Sequence, residues 1–169
     1  MNYEIIVRMM ARWIRLGAIE PSEFEAAYAS LANAQGRASA PILLWAETPS
    51  HYLFALIAPR KFAPGRVSRW IAWGLASAVA TYRQFGVPAY FDAGALWLHG
   101  GKIAEASVVA LGECAVIASS FLARFPAKCV VTPSALVEHT FRLRLEAQHG
   151  WQFDHSWPQA AESRRFALA

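Results

Sequence analysis

The chain has 169 residues, 56% of them hydrophobic and 17% charged, with a formal net charge of +4. That length suits a single domain, residues 1–169, and Arg66 and Arg69 interrupt its richest apolar stretch, so nowhere does it reach the roughly 20 uncharged residues of a membrane span. The basic residues are scattered singles, which argues against nucleic acid as a partner. Two cysteines, Cys114 and Cys129, are too few for a disulfide framework. With no secretory signal at Asn2-Tyr3-Glu4, the expected compartment is the cytoplasm. A surplus of apolar side chains in so small a domain points to a partner-facing surface, hence to a homo-oligomer or a larger protein complex.

In chain order, Glu4–Leu16 reads as an amphipathic helix within residues 1–17. Ile5, Ile6, Met9, Met10, Trp13 and Ile14 recur at three- and four-residue spacing, Arg8, Arg12 and Arg15 fall opposite, and Gly17 is the stop. Pro21 opens a second helix, with Ser22 and Glu25 in a capping-box pattern, an apolar stripe of Phe24, Ala27, Tyr28, Leu31 and Ala32, and Gly36 after it. Pro41–Ala46 and Tyr52–Ala58 read as strands joined by Thr48-Pro49-Ser50-His51. Val67 to about Gln84 is an Ala-rich helix whose Ala72, Gly74 and Ala76 permit close packing on a sheet.

The stretch from Val87 to Pro126 carries three apolar runs, Ala93–Leu98, Ile103–Leu111 and Ala115–Leu122. Glycine turns at His99-Gly100-Gly101 and Gly112-Glu113 separate them, the pattern of consecutive antiparallel strands. Thr132 is placed as the N-cap of a helix over Ala135–Gln148, with Pro133 at its first position and Gly150 beyond it. The tail, residues 151–169, shows no clear periodicity. The order of helices and strands fits an α+β fold, with helices packed against a mixed or antiparallel sheet.

At Gly100-Gly101-Lys102-Ile103-Ala104 the sequence resembles the biotin/lipoate protein ligase and octanoyltransferase superfamily, whose members carry a similar Gly-(Gly/Arg)-Lys-(Ile/Leu)-Ala turn between two strands. The flanking element order agrees from about Ser22 to Gln148. The resemblance implies the ligase-like catalytic-domain fold and a small acyl-type ligand (biotin, lipoate or another acyl group) or an acyl-carrier protein. It further implies that Lys102 contacts the bound group beside Gly100 and Gly101, and that Cys129 is the candidate thioester carrier of the transferase branch. An ammonium at the mouth of an apolar pocket can polarise a carbonyl or stabilise an oxyanion.

The chain departs from the family pattern: the transferase's Arg/His/Gly-rich binding loop is absent, and Cys129 lacks the flanking Pro-Cys-Gly pattern. No Gly/Arg-rich loop follows Trp45-Ala46-Glu47, and of a Lys-Trp-Pro-Asn-Asp-like segment before the turn only Asp92 stands in. The expectation is therefore an acyl-, lipoyl- or biotinyl-binding or transferring protein without full ATP-dependent ligase chemistry. The alternative is a non-catalytic binding or assembly subunit. The histidines, His149 and His155 near Asp154 included, show no metal-ligand spacing. No phosphate-cradling glycine motif and no Gly-x-Ser-x-Gly elbow occurs.

Overall fold

The computed structural model describes residues 8–125, 130–159 and 162. In chain order the elements are β1 (Met9–Ala18), α1 (Pro21–Ala34), β2 (Ile42–Glu47), β3 (His51–Pro59), α2 (Trp70–Gln84), β4 (Tyr90–Asp92), β5 (Ala95–Leu98), β6 (Gly101–Glu105), β7 (Ser107–Leu111), β8 (Cys114–Leu122), β9 (Arg124–Phe125), β10 (Val130–Val131), α3 (Ser134–His149) and β11 (Trp151–His155). Six strands form a mixed sheet in the order β11-β1-β2-β3-β8-β7, β4-β5-β6 form a smaller one, and β9 pairs with β10. β1 runs parallel to both β11 and β2, and the remaining pairs of the large sheet are antiparallel. The expected α+β arrangement is the observed one.

Both faces of the large sheet are covered. One side chain set, including Ile14, Leu44, Ala55 and Val116, packs under α1; the other, including Trp45, Phe54, Ile117 and Phe121, packs under α2, α3 and the small sheet. Double coverage explains why β2 and β3 read as near-continuous apolar runs rather than alternating ones. Gly74 lets α2 approach closely, since a Cβ there would lie 2.7 Å from the Ile117 side chain. Ala72 and Ala76, expected to share that contact, face outward instead.

Several sequence expectations are corrected. Over the described residues, Met9–Ala18 is a strand and not the end of an amphipathic helix. Only Ala11 and Ile14 of this strand are buried while Met9 and Met10 are exposed, so its apolar residues do not alternate and Met9, Met10, Trp13 and Ile14 mimic helical spacing by composition. Arg12 and Arg15 do not share a face. Arg12 pairs with buried Glu162 at 2.9 Å and Arg15 with buried Glu138 at 3.2 Å, on opposite sides of β1. Gly17, at φ +75°, sits at a register shift in the strand rather than at a helix stop.

The box at the start of α1 is built two residues earlier than expected: Glu20 occupies the cap, its N–H donating to Glu23 Oε2 at 3.4 Å. Pro133, not Thr132, holds the cap position of α3, and the hydroxyl of Thr132 caps nothing there. The run Ile103–Leu111 divides at Ala106 into β6 and β7, which belong to different sheets. Residues 151–155 of the tail form the edge strand β11.

Candidate functional site

The glycine turns adopt the geometry that their residues dictate. Leu98 pairs with Gly101 across a two-residue connection in which His99 (φ +49°) and Gly100 (φ +78°) are both left-handed. This is the type I′ hairpin whose twist matches that of the flanking strands. Ala93-Gly94 makes the same turn between β4 and β5. Gly101 has no such requirement, because a Cβ there would only touch the Leu98 carbonyl at 3.5 Å.

Beyond the turn, Leu96 pairs with Ala104 while Trp97 pairs with Lys102, so Ile103 is an extra residue in β6. Bulges of this kind re-aim side chains and recur beside active sites. In a regular strand Lys102 and Glu105, three apart, would face opposite sides. The bulge puts both on the outer face of the small sheet, with Trp97 between strands. The Lys102 ammonium lies 5.7 Å from the Trp97 ring centroid and 3.2 Å from Glu105 Oε1. Both partners are exposed, 45% for the Lys102 side chain and 81% for that of Glu105, so the pair is a weak tether of about 0–1 kcal/mol. A ligand carboxylate or carbonyl can take the ammonium at little cost.

Asp92 lies on the same face, by the pairings Asp92–Ala95 and Trp97–Lys102. Its backbone carbonyl, not its carboxylate, is engaged: the Trp97 indole N–H donates to it at 2.8 Å. The structure thus brings Gly100, Gly101, Lys102 and Asp92 onto one hairpin system. Cys129 lies outside the described residues. Cys114 is buried, and burial, with Glu113 adding to it, pushes its thiol up to about 11, so it packs as a small hydrophobe. Among the described residues no three His, Cys, Asp or Glu side chains converge as a metal site.

Where β6 ends, a cleft of about 370 Å³ opens, bordered by Phe24, Tyr28, Leu53, Glu105, Ser107 and Ser119. It is a shallow depression, open to solvent over most of its extent. Burial raises the Tyr28 phenol, the Ser107 hydroxyl drawing it partway back, so it stays a neutral donor. The Ser119 hydroxyl donates to the Glu105 carbonyl at 2.7 Å and fixes the strand end at the rim. Sequence reasoning missed these residues. They are single polar side chains on α1, β7 and β8, brought together only by the fold, with no spacing to betray them.

A second polar group closes the far side of the sheet. The Trp45 indole N–H donates to Ser134 Oγ at 3.2 Å, and the Ser134 hydroxyl donates to Glu47 Oε1. Tyr52 donates to the Thr132 carbonyl, tying the start of α3 to β3. The β2–β3 connection between them is a tight turn, closed by the Thr48 N–H donating to the His51 carbonyl at 2.8 Å.

These features define a fold shared with solved ligases. The structure superposes on a bi-partite lipoate protein ligase from Thermoplasma acidophilum, studied with its E2 lipoyl domain, at a TM-score of 0.79 and 9% identity, covering 95% of this chain and 91% of that one. It matches lipoate-protein ligase A bound with ATP at 0.76 and 9%, over 95% and 94% of the two chains. The biotin acetyl coenzyme A carboxylase synthetase of Helicobacter pylori, with bound biotinylated ATP, matches at 0.61 and 14%, over 94% and 80%. The chain therefore has the biotin/lipoate ligase-like catalytic-domain fold. No protein-family model and no curated protein matches it by sequence. No described helix is long and apolar enough to cross a membrane.

Proposed function

We propose that this protein binds a lipoyl, biotinyl or other acyl group and hands it to, or accepts it from, an acyl-carrier partner. The observation that carries this reading is the presentation of Lys102. A type I′ turn and a bulge hold its ammonium beside Trp97 with an exposed, easily displaced counter-ion. In that position it can take the carboxylate end of a free acid or polarise the carbonyl of a bound acyl group. The ligand types follow from the neighbours, which hold a biotinylated nucleotide or act with a lipoyl domain. The cleft at the end of β6 has room for a short acyl chain.

Two finer points belong to the same reading. The tight Thr48–His51 turn supplies no backbone to fold over an adenylate, which supports binding or transfer over ATP-dependent ligation. If transfer passes through a thioester, Cys129 is the candidate nucleophile, because the only other cysteine is buried with a raised pKa. The alternative reading is a scaffold that serves as a non-catalytic assembly subunit.

Native mass spectrometry of the protein purified from its host separates the two. An adduct of lipoyl, biotinyl or acyl mass, lost in Lys102→Ala or Cys129→Ala, supports acyl handling. A bare polypeptide mass inside a defined heteromeric complex supports the scaffold.

A further inference from the structure

The outer face of the two helices that cover the large sheet has a one-sided charge pattern. No residue of α2 is acidic, and of the two carboxylates of α3 Glu138 is buried and Glu146 half-buried. Glu138 is 2% exposed, and Glu146 Oε1 accepts the Phe153 N–H at 3.1 Å. What faces outward is apolar, cationic or neutral polar, with Gln84, His139 and Gln148 among the exposed residues. Leu136 and Leu143, seven residues apart and so on one stripe of α3, are 48% and 49% exposed. Along α2 lies an open groove of about 390 Å³, lined by Ala76, Val79, Ala80, Arg83 and Gln84, with Arg144 of α3 at its edge.

The two guanidiniums at the groove end are held in place. Arg144 donates to Gln84 Oε1 through Nε and Nη2, at 2.9 and 2.7 Å, and Arg83 Nε donates to the Ala89 carbonyl at 3.2 Å. Among the described residues neither meets a carboxylate. An arginine fixed by neutral partners keeps its charge and its remaining N–H groups for a carboxylate from elsewhere. Small residues on the groove floor let another backbone approach, and an exposed leucine stripe such as that on α3 is what an amphipathic helix packs against.

We propose that this face docks an acidic amphipathic helix of a partner protein. Its apolar stripe lies along Leu136, Leu143 and the alanine floor, and its carboxylates meet Arg83 and Arg144. Charge complementarity selects this occupant. A second copy of the chain is a poorer fit, because α1, the helix with acidic residues at its start, already buries its apolar stripe of Phe24, Ala27, Tyr28 and Leu31 on the sheet. The inference stands apart from the acyl-handling reading and uses none of its residues.

The test titrates the full chain into a fluorescent synthetic peptide of about five helical turns, with leucines at three- and four-residue spacing and glutamates on the flanks. Saturable binding is expected, weakened about tenfold or more by Arg83→Glu with Arg144→Glu and by Leu143→Asp, and weakened in ~1 M salt, where the Debye length is about 3 Å. The same peptide with lysines for glutamates should not bind. Leu143→Asp changes an exposed position with no side-chain hydrogen bond, so its thermal melt should overlay that of the wild type. The double arginine variant, which loses the bonds to Ala89 and Gln84, is compared at a temperature where its melt shows it folded. No binding, equal binding of the two peptides, or binding indifferent to the three substitutions overturns the proposal. A wild-type dimer in sedimentation that Leu143→Asp converts to a monomer overturns it too, by giving the face to a second copy.

Discussion

Lys102 stands directly across the β5–β6 pair from Trp97, its ammonium 5.7 Å from the ring centroid, because Ile103 is displaced from the ladder between Lys102 and Ala104. Two sequence features create that relationship. The left-handed His99-Gly100 turn sets the register, and the bulge then carries Lys102 and Glu105 to one face. A side chain held this way by its backbone, with only an exposed ion pair and a ring face as partners, contributes little to stability.

Lys102→Ala should accordingly leave the fold almost untouched. The loss of an exposed pair and a surface cation–π contact costs under about 1 kcal/mol. Urea unfolding of the variant should give a midpoint close to that of the wild type. A loss of several kcal/mol would make Lys102 a structural residue.

The two glycines before Lys102 should behave differently. Gly100→Ala forces a Cβ into φ +78° and should cost ~1–2 kcal/mol, whereas Gly101→Ala should be nearly neutral. Gly74→Ala drives a methyl to within 2.7 Å of Ile117 and should cost ~1–3 kcal/mol through overpacking. Chemical denaturation of the three variants ranks them.

The pH dependence should carry the signature of His149, which is stacked 4.3 Å from Trp151 and edge-on to Trp73 at 4.9 Å. Burial lowers its pKa from 6.5 to about 4. Between those values the unfolded chain binds the proton and the folded one does not. Stability therefore falls as pH drops from 6.5 toward 4, by up to ~1.4 kcal/mol per unit, and this contribution is absent above that window. His149→Phe keeps a ring in the stack and removes the titration, so its urea midpoint should vary less with pH across the same window.

Glu138 should show the opposite sign. Burial raises its carboxyl above the usual range, with Arg15 drawing it back only in part. The folded state then binds a proton more readily than the unfolded one, and stability falls as pH rises through the raised value. Glu138→Gln should flatten this pH dependence, since the substituted amide does not titrate. Arg15→Ala leaves the buried carboxylate without its partner and should cost ~1–3 kcal/mol, less at acid pH; the modest figure reflects a side chain 43% exposed. Thermal melts of both variants at two pH values measure this.

Local chemistry made much of the fold legible in advance. The stripe of α1, the apolar runs of β2 and β3 and the left-handed Gly150 that ends α3 are each written in neighbouring residues. The Gly-Gly-Lys turn was legible for the same reason. β1 was not, because its apolar residues do not alternate and its arginines find Glu138 and Glu162 only across the fold. Nor was the break at Ala106, where one apolar run passes from the small sheet to the large one. The cleft residues Tyr28, Ser107 and Ser119 carry no mutual sequence signal, and tertiary packing alone assembles them.

The most direct test of the account is calorimetric titration of lipoic acid, biotin and octanoic acid into the wild-type protein and Lys102→Ala. Acyl handling through Lys102 predicts saturable binding of at least one acid by the wild type. In the variant, binding should be weakened by about tenfold or more (about 1.4 kcal/mol) while its melting is unchanged. No binding of any of the three, or equal binding by both proteins, would contradict it.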